Sequence, residues 1–181
     1  AFDMSDILLH GFSMWRTART MVDLEPAPGD KPAGQSNHQT VRRVTVSRCE
    51  FGLHGLGWMT AAAGPCEDIT IEGNISYDRM PVIARCALPV INQVPTDIGN
   101  RHRRWTVRNN YGGLRTRATQ GPVCDFVRTE GAMVEGNYHT IGTGVDPVTH
   151  SGSTGITEVQ NTWPVSASSI PAQDPPPGPW N

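Results

Sequence analysis

Along this chain a short phrase recurs in which apolar and polar positions alternate and then end at asparagine. Its clearest forms are Asp68-Ile69-Thr70-Ile71-Glu72-Gly73-Asn74, Trp105-Thr106-Val107-Arg108-Asn109-Asn110 and Ala132-Met133-Val134-Glu135-Gly136-Asn137. Upstream, Asp6-Ile7-Leu8-Leu9-His10-Gly11-Phe12 and Val44-Thr45-Val46-Ser47-Arg48-Cys49 fit the same frame. Downstream, Ile156-Thr157-Glu158-Val159-Gln160-Asn161 fits it with its apolar parity slipped by one residue. Within a phrase the first and third residues are apolar and the one between is usually Thr, the period-2 signature of a strand with one inward face. Gly or Asn follows, then Asn, residues that tolerate a left-handed backbone and turn the chain sharply. Counted at the last position, the phrases lie 37, 25, 36, 27 and 24 residues apart. Self-similarity of this kind predicts an all-β solenoid of about six coils, with an inserted loop in each of the two long intervals.

Equivalent positions in stacked strands are about 4.8 Å apart. Asn74, Asn110 and Asn137 are therefore expected to form a ladder of amide hydrogen bonds inside the turn. Phe12 and Cys49 interrupt it at the first two coils, and Asn161 sits in the slipped phrase. A second strand-like run follows in most coils: Met21–Glu25, Trp58–Ala61, Pro81–Cys86 and Val123–Arg128. The segments Pro26–Asn37 and Gly112–Pro122 carry Gly, Pro, Thr and charge, as surface turns do. After Trp163 the pattern stops. Residues 1–165 are expected to form the solenoid segment and 166–181, with the run Asp174-Pro175-Pro176-Pro177-Gly178-Pro179-Trp180-Asn181, an extended Pro-rich arm. No helical stripe is present, which sets aside a doubly wound α/β fold.

Composition agrees with that reading. The 181 residues suffice for one domain, and an apolar fraction of 37% with 19 Gly and 15 Pro suits short strands between many turns. A net charge of −2 and a pI near 6.3 favour no nucleic-acid partner. The longest apolar stretch, Pro81–Ile91, is broken by Arg85 and Pro89, so no membrane insertion is expected. The chain starts at Ala1 without a signal-peptide pattern, already near a strand, and reads as part of something longer. Cys49, Cys66, Cys86 and Cys124 lack CxxC spacing; they read as small buried hydrophobes, although two disulfides are arithmetically possible.

At ThrIleGluGlyAsn (70–74), ThrValArgAsnAsnTyr (106–111) and MetValGluGlyAsnTyr (133–138) the sequence resembles the pectate-lyase-like right-handed parallel β-helix superfamily. The resemblance covers residues 6–163. It implies that fold, and it leaves function open, because the scaffold serves polysaccharide lyases, glycoside hydrolases, epimerases, adhesins and phage tailspikes alike.

Candidate chemistry is sparse. Glu72, Arg108 and Glu135 share one outward position in three coils, giving either a polar groove for a glycan or simple cross-strand ion pairing. Asp23 and Glu25 alternate on one strand about 6.6–7 Å apart, within the span of two carboxylates flanking a glycosidic bond. Asp125 holds a comparable place in a later coil, near Arg128 and Glu130. The absence of a dense Asp cluster argues against Ca²⁺-dependent lyase chemistry. Six histidines without i,i+4 spacing, and no phosphate loop or nucleophile elbow, indicate no metal and no cofactor. Arg101-His102-Arg103-Arg104 reads as a solvated basic turn, with an acidic partner as the alternative. Trp15, Trp58, Tyr77, Tyr111 and Tyr138 lie near turns where rings stack on sugars; Tyr111 and Tyr138, each just after a ladder asparagine, are equally placed to stack on one another.

These observations lead to a structural and recognition protein, a phage tail or fibre component or a secreted surface protein. Its expected partners are host-surface polysaccharide or other virion proteins, and its expected assembly a homotrimer. The alternative is a polysaccharide-degrading enzyme using Asp23, Glu25 and Asp125.

Overall fold

The structure is a computed structural model that describes residues 4–17, 20–24, 40–54, 57–61, 65–76, 84–86, 101–112 and 122–166. These residues form eighteen strands and no helix. Three parallel sheets hold nearly all of them. The long sheet runs β1 (Met4–His10), β4 (Val41–Ser47), β7 (Cys66–Glu72), β10 (His102–Arg108), β13 (Thr129–Glu135) and β17 (Thr154–Val159), in that spatial order. The second sheet runs β2 (Ser13–Thr17), β5 (Glu50–His54), β8 (Ile75–Ser76), β11 (Tyr111–Gly112) and β14 (Tyr138–His139). The third runs β3 (Thr20–Leu24), β6 (Gly57–Ala61), β9 (Ala84–Cys86), β12 (Cys124–Val127) and β16 (Val148–Ser151). A short pair, β15 (Ile141–Gly142) with β18 (Val165–Ser166), completes the set. The chain visits the long, second and third sheets in turn, so each strand pairs with its counterpart one pass later.

Register turns each phrase position into a column. Two apolar columns face inward from the long sheet: Ile7-Val44-Ile69-Trp105-Ala132-Ile156 and Leu9-Val46-Ile71-Val107-Val134, the latter ending at Glu158. Their inner members, with Phe51, Cys124 and Phe126 from the other sheets, form the buried core. Threonine dominates the outward column Leu8-Thr45-Thr70-Thr106-Met133-Thr157, which explains the Thr between the apolar positions. The slipped last phrase keeps this register: Ile156 stays inward, Glu158 takes a core position and Val159 faces out, 37% exposed.

Left-handed residues bend the long sheet's strands at two levels. Gly11, Arg48, Gly73, Asn109, Gly136 and Gln160, each just before the ladder position, have φ between 53° and 67°. A second column inside the strands, Asp6, Arg43, Asp68, Arg104, Gly131 and Gly155, has φ between 52° and 76°. Non-glycine residues pay roughly 1–2 kcal/mol each for that conformation, and four of the six are charged.

Beyond the first column, the ladder satisfies the backbone that these turns expose. Asn74 Oδ1 accepts the Cys49 N–H at 2.9 Å, and Asn110 Oδ1 accepts both the backbone and the side-chain N–H of Asn74 at 3.0 and 2.9 Å. Asn137 does the same for Asn110, and Asn161 for Asn137, all at 3.0 Å. Each Nδ2 also donates to a carbonyl of an earlier pass, Val46, Ile71, Val107 and Val134 in order. Asn74, Asn110 and Asn137 are buried, so these groups have no water to fall back on. At the start of the strands His102 Nδ1 accepts the Cys66 N–H at 3.1 Å, and Ser153 Oγ accepts the Thr129 N–H at 2.9 Å.

The segments 25–39, 77–83, 87–100, 113–121 and 167–181 lie outside the described residues, and with them Glu25, Tyr77, both proposed surface loops for the most part and nearly all of the Pro-rich arm. Cys49, Cys66 and Cys124 are buried and not joined in disulfides. Burial pushes the Cys66 thiol up to about 12 and that of Cys124 higher still, so both behave as apolar packing groups.

Candidate functional site

The outer face of the long sheet carries a groove of about 470 Å³ at the end where its strands turn. Three adjacent columns build it. The threonine column supplies Leu8 and Thr45. The next outward column, His10-Ser47-Glu72-Arg108-Glu135-Val159, supplies His10, Ser47 and Glu72. The left-handed column supplies Arg48, Gly73 and Asn109. Gly73 turns the chain at the floor with a φ of 62°, a conformation that suits glycine.

Hydrogen bonds fix the polar wall. His10 Nδ1 lies 2.9 Å from Ser47 Oγ. Arg108 holds Glu72 through Nε at 2.8 Å and Nη2 at 2.6 Å. The Arg48 guanidinium has no partner among the described residues, which leaves one cation open to the groove. Serine, histidine and a carboxylate in one column resemble parts of a nucleophilic relay, but their order is wrong for it. In such a relay the imidazole lies between hydroxyl and carboxylate; here Ser47 lies between His10 and Glu72, and Glu72 is occupied by Arg108. Ser47 is buried with its hydroxyl held against His10, so the arrangement offers mainly imidazole, amide and guanidinium groups for hydrogen bonding, without an activated nucleophile.

Of the outward trio, Glu72 and Arg108 are joined as an ion pair and Glu135 occupies the next place in the column. Tyr111 and Tyr138 lie on the second sheet, stacked at 4.5 Å with a 6° interplanar angle. Each ring gives one face to the other, which leaves at most one face and the edges of each for a sugar. Asp23 and Asp125 fall on one column of the third sheet, Asp23-Thr60-Arg85-Asp125-Thr149. Three strand spacings separate them, about 14 Å, beyond the roughly 5–9.5 Å that glycoside hydrolysis needs between its carboxylates. Asp125 also accepts a hydrogen bond from Thr149 Oγ1 at 2.8 Å. Asp23 and Glu25 remain a pair by sequence alone, since Glu25 lies outside the described residues.

The Arg101–Arg104 run is not a solvated turn. His102 is fully buried, and Arg101 Nη1 donates to the Gly152 carbonyl at 2.9 Å. Arg103 and Arg104 lie within β10, where two charge columns run side by side. In one, Glu67 is ringed by Arg42, Arg103 and Arg104 at 3.5, 3.0 and 3.3 Å, and Arg103 reaches Glu130 at 3.2 Å. In the other, Arg43 grips Asp6 at 2.6 and 2.7 Å and Arg104 grips Asp68 at 2.5 and 2.9 Å. Arg43 holds the Asp6 carboxyl down at about 2, and Arg104 lowers that of Asp68. The left-handed charged residues thus sit in the column where opposite charges alternate.

Sequence reasoning missed His10, Ser47, Arg48 and Asn109 as a group. The signal was present, because the aligned phrases already place His10 and Ser47 with Glu72, and Arg48 with Gly73 and Asn109. Among the described residues no set of three or more His, Cys, Asp or Glu side chains could hold a metal ion. Comparison with protein-family models, with curated proteins and with solved structures gave no match.

Proposed function

We propose that this chain is a segment of a right-handed parallel β-helix of the pectate-lyase-like kind that presents its outer face to glycans, as a phage tail or fibre component or a secreted surface protein. Three parallel sheets visited in turn, left-handed corner columns and an internal asparagine ladder support the solenoid reading. The observation that supports recognition is the groove on the long sheet, where His10, Arg48 and Asn109 converge and the Arg48 guanidinium has no partner among the described residues. Sugars bind through hydrogen bonds to hydroxyls, and a rigid sheet that repeats polar groups every strand spacing can engage successive residues of a polymer. Trimerisation would add avidity by presenting three such faces. The degrading-enzyme alternative rests on Asp23 and Glu25 as its pair, because Asp23 and Asp125 stand too far apart to act on one bond.

The test is binding to an array of bacterial surface polysaccharides, with wild type, Arg48→Ala and Asp23→Ala/Asp125→Ala compared. The proposal expects binding that Arg48→Ala weakens at least about tenfold, a loss of roughly 1.4 kcal/mol, and that the double aspartate variant retains. No binding to any glycan would leave a purely architectural protein. Release of new reducing ends, lost in the aspartate variant, would instead establish the enzyme.

A further inference from the structure

The left-handed column that follows the long sheet's strands alternates two kinds of residue. Gly11, Gly73 and Gly136 take every second place, and Arg48, Asn109 and Gln160 take the places between. The backbone holds them in register, since the N–H groups of Arg48, Gly73 and Asn109 donate to the carbonyls of Glu72, Arg108 and Glu135. Two of the larger side chains lie against the glycine of the following coil. Arg48 Cγ is 3.9 Å from where a Cβ on Gly73 would stand, and Asn109 Oδ1 is 2.5 Å from the same place on Gly136. Arg48, Gly73 and Asn109 are exposed and follow β4, β7 and β10, which have a strand on either side, so this part of the column involves no sheet edge.

Charge is placed as unevenly as bulk. Glu72 is neutralised by Arg108 at 2.6 Å, and Glu50, two residues beyond Arg48, accepts a hydrogen bond from Ser13 Oγ at 3.3 Å. The Arg48 guanidinium has no partner among the described residues. A cation therefore stands at one coil and an exposed amide two coils on, with a glycine between them. Two strand spacings, about 10 Å, separate the two, close to the advance of two sugars along an extended polysaccharide. A guanidinium fork holds an oxyanion through paired N–H donors, whereas an amide meets hydroxyl and acetamido groups. A second anion lying over Asn109 would give up hydration without meeting a cation. It would also lie beside the column Glu72-Arg108-Glu135, which sums to a negative charge.

We propose that Arg48 and Asn109 select a sparsely charged glycan: a heteropolymer with one anionic sugar, bearing a carboxylate or a sulfate ester, in a repeat of three or more. The anion sits on Arg48, and neutral sugars pass over Gly73 and Asn109. The inference rests on the glycan reading of the groove, and it adds the substrate class and the two residues that set it. Polymers with an anion on every sugar, or on every second one, bring a charge over Asn109 and are refused.

The experiment uses an array of bacterial polysaccharides of known repeat, grouped as neutral, sparsely anionic and densely anionic, with wild type, Arg48→Ala and Asn109→Arg compared. Wild type should bind members of the sparse group and lose at least about tenfold when their anion is removed. Carboxyl reduction and desulfation, done on separate samples, tell the two anions apart. Arg48→Ala should lose as much on the untreated polymers and nothing further on the treated ones. Asn109→Arg should gain at least about tenfold on the dense group. The column already holds an arginine at that φ of 53°, in Arg48, so this variant keeps the fold, which far-UV circular dichroism verifies. The inference alone is overturned if the bound polymers are neutral or densely anionic, if removal of the anion changes nothing, or if folded Asn109→Arg binds the dense group no better. Absence of binding to every polymer overturns the glycan reading itself and this inference with it.

Discussion

Replacing Asn110 by Ala should expose how much of the stability resides in the ladder. Asn110 is 1% exposed, and its amide makes four hydrogen bonds: two accepted from Asn74, and one donated each to Ile71 O and Asn137 Oδ1. Removal does not orphan every partner. Asn74 Nδ2 keeps the Val46 carbonyl, and Asn137 Oδ1 keeps the Asn110 backbone N–H. The Asn74 backbone N–H and the Ile71 carbonyl lose a partner in a place water does not reach. At about 1–3 kcal/mol for each buried unsatisfied group, the loss should be near 4 kcal/mol, a large part of the roughly 5–15 kcal/mol that holds a typical domain folded. Asn161→Ala is the internal control. It sits half-buried at the end of the ladder, so the orphaned Asn137 N–H can be hydrated, and the loss should stay under about 1.5 kcal/mol. Urea denaturation measures both as shifts in midpoint at constant slope. Equal losses at the two sites, or a loss below about 1 kcal/mol at Asn110, would refute a ladder whose strength comes from burial.

Acid should destabilise the protein through its core histidines. Burial holds His102 and His139 at about 4 against an ordinary 6.5, so their neutral forms contribute stability that is complete above pH 6.5 and lost as pH falls from 6.5 to 4, about 3 kcal/mol for each; a flat stability profile over that window would contradict it, and His102→Gln should halve the slope. Gly112→Ala should cost about 1–3 kcal/mol by thermal melting, because its new Cβ would strike the buried His139 ring. Glu67→Gln should cost about 2 kcal/mol at low salt, since three arginines lose the carboxylate they share, and the deficit should shrink as salt screens their repulsion.

The strands of the long and third sheets were readable because their lengths allow an alternation to register. The second sheet was not. Three of its five strands, Ile75–Ser76, Tyr111–Gly112 and Tyr138–His139, are two residues each, too short for any period, and only pairing one pass away makes them strands. The other two, Ser13–Thr17 and Glu50–His54, are interrupted by Arg16 and Gly52 and show no clean alternation. The candidate site was legible in part. Glu72 was singled out for its place in the phrase, while His10, Ser47 and Arg48 lie in earlier phrases and meet it only once the strands pair in register.

The sequence by itself determined the inward and outward alternation, the turn after it and the positions of the ladder asparagines. These depend on local properties: side-chain polarity at period 2, and the readiness of Gly and Asn to adopt a left-handed backbone. The Glu72–Arg108 pair was legible from the aligned phrases, but tertiary structure alone decided how the charges of the Arg101–Arg104 run are met. Arg103 meets Glu67 from 36 residues away and Glu130 from 27, spacings that differ because the intervening segments differ in length. The same holds for the left-handed Asp6, Arg43, Asp68 and Arg104, residues with no intrinsic preference for that conformation, which adopt it inside strands whose neighbours on both sides bend in register. Glu158 shows the division most plainly. In sequence it looked like a phrase that had lost its parity, and in the fold it is a core position at the last strand of the sheet, where a charge can still reach water.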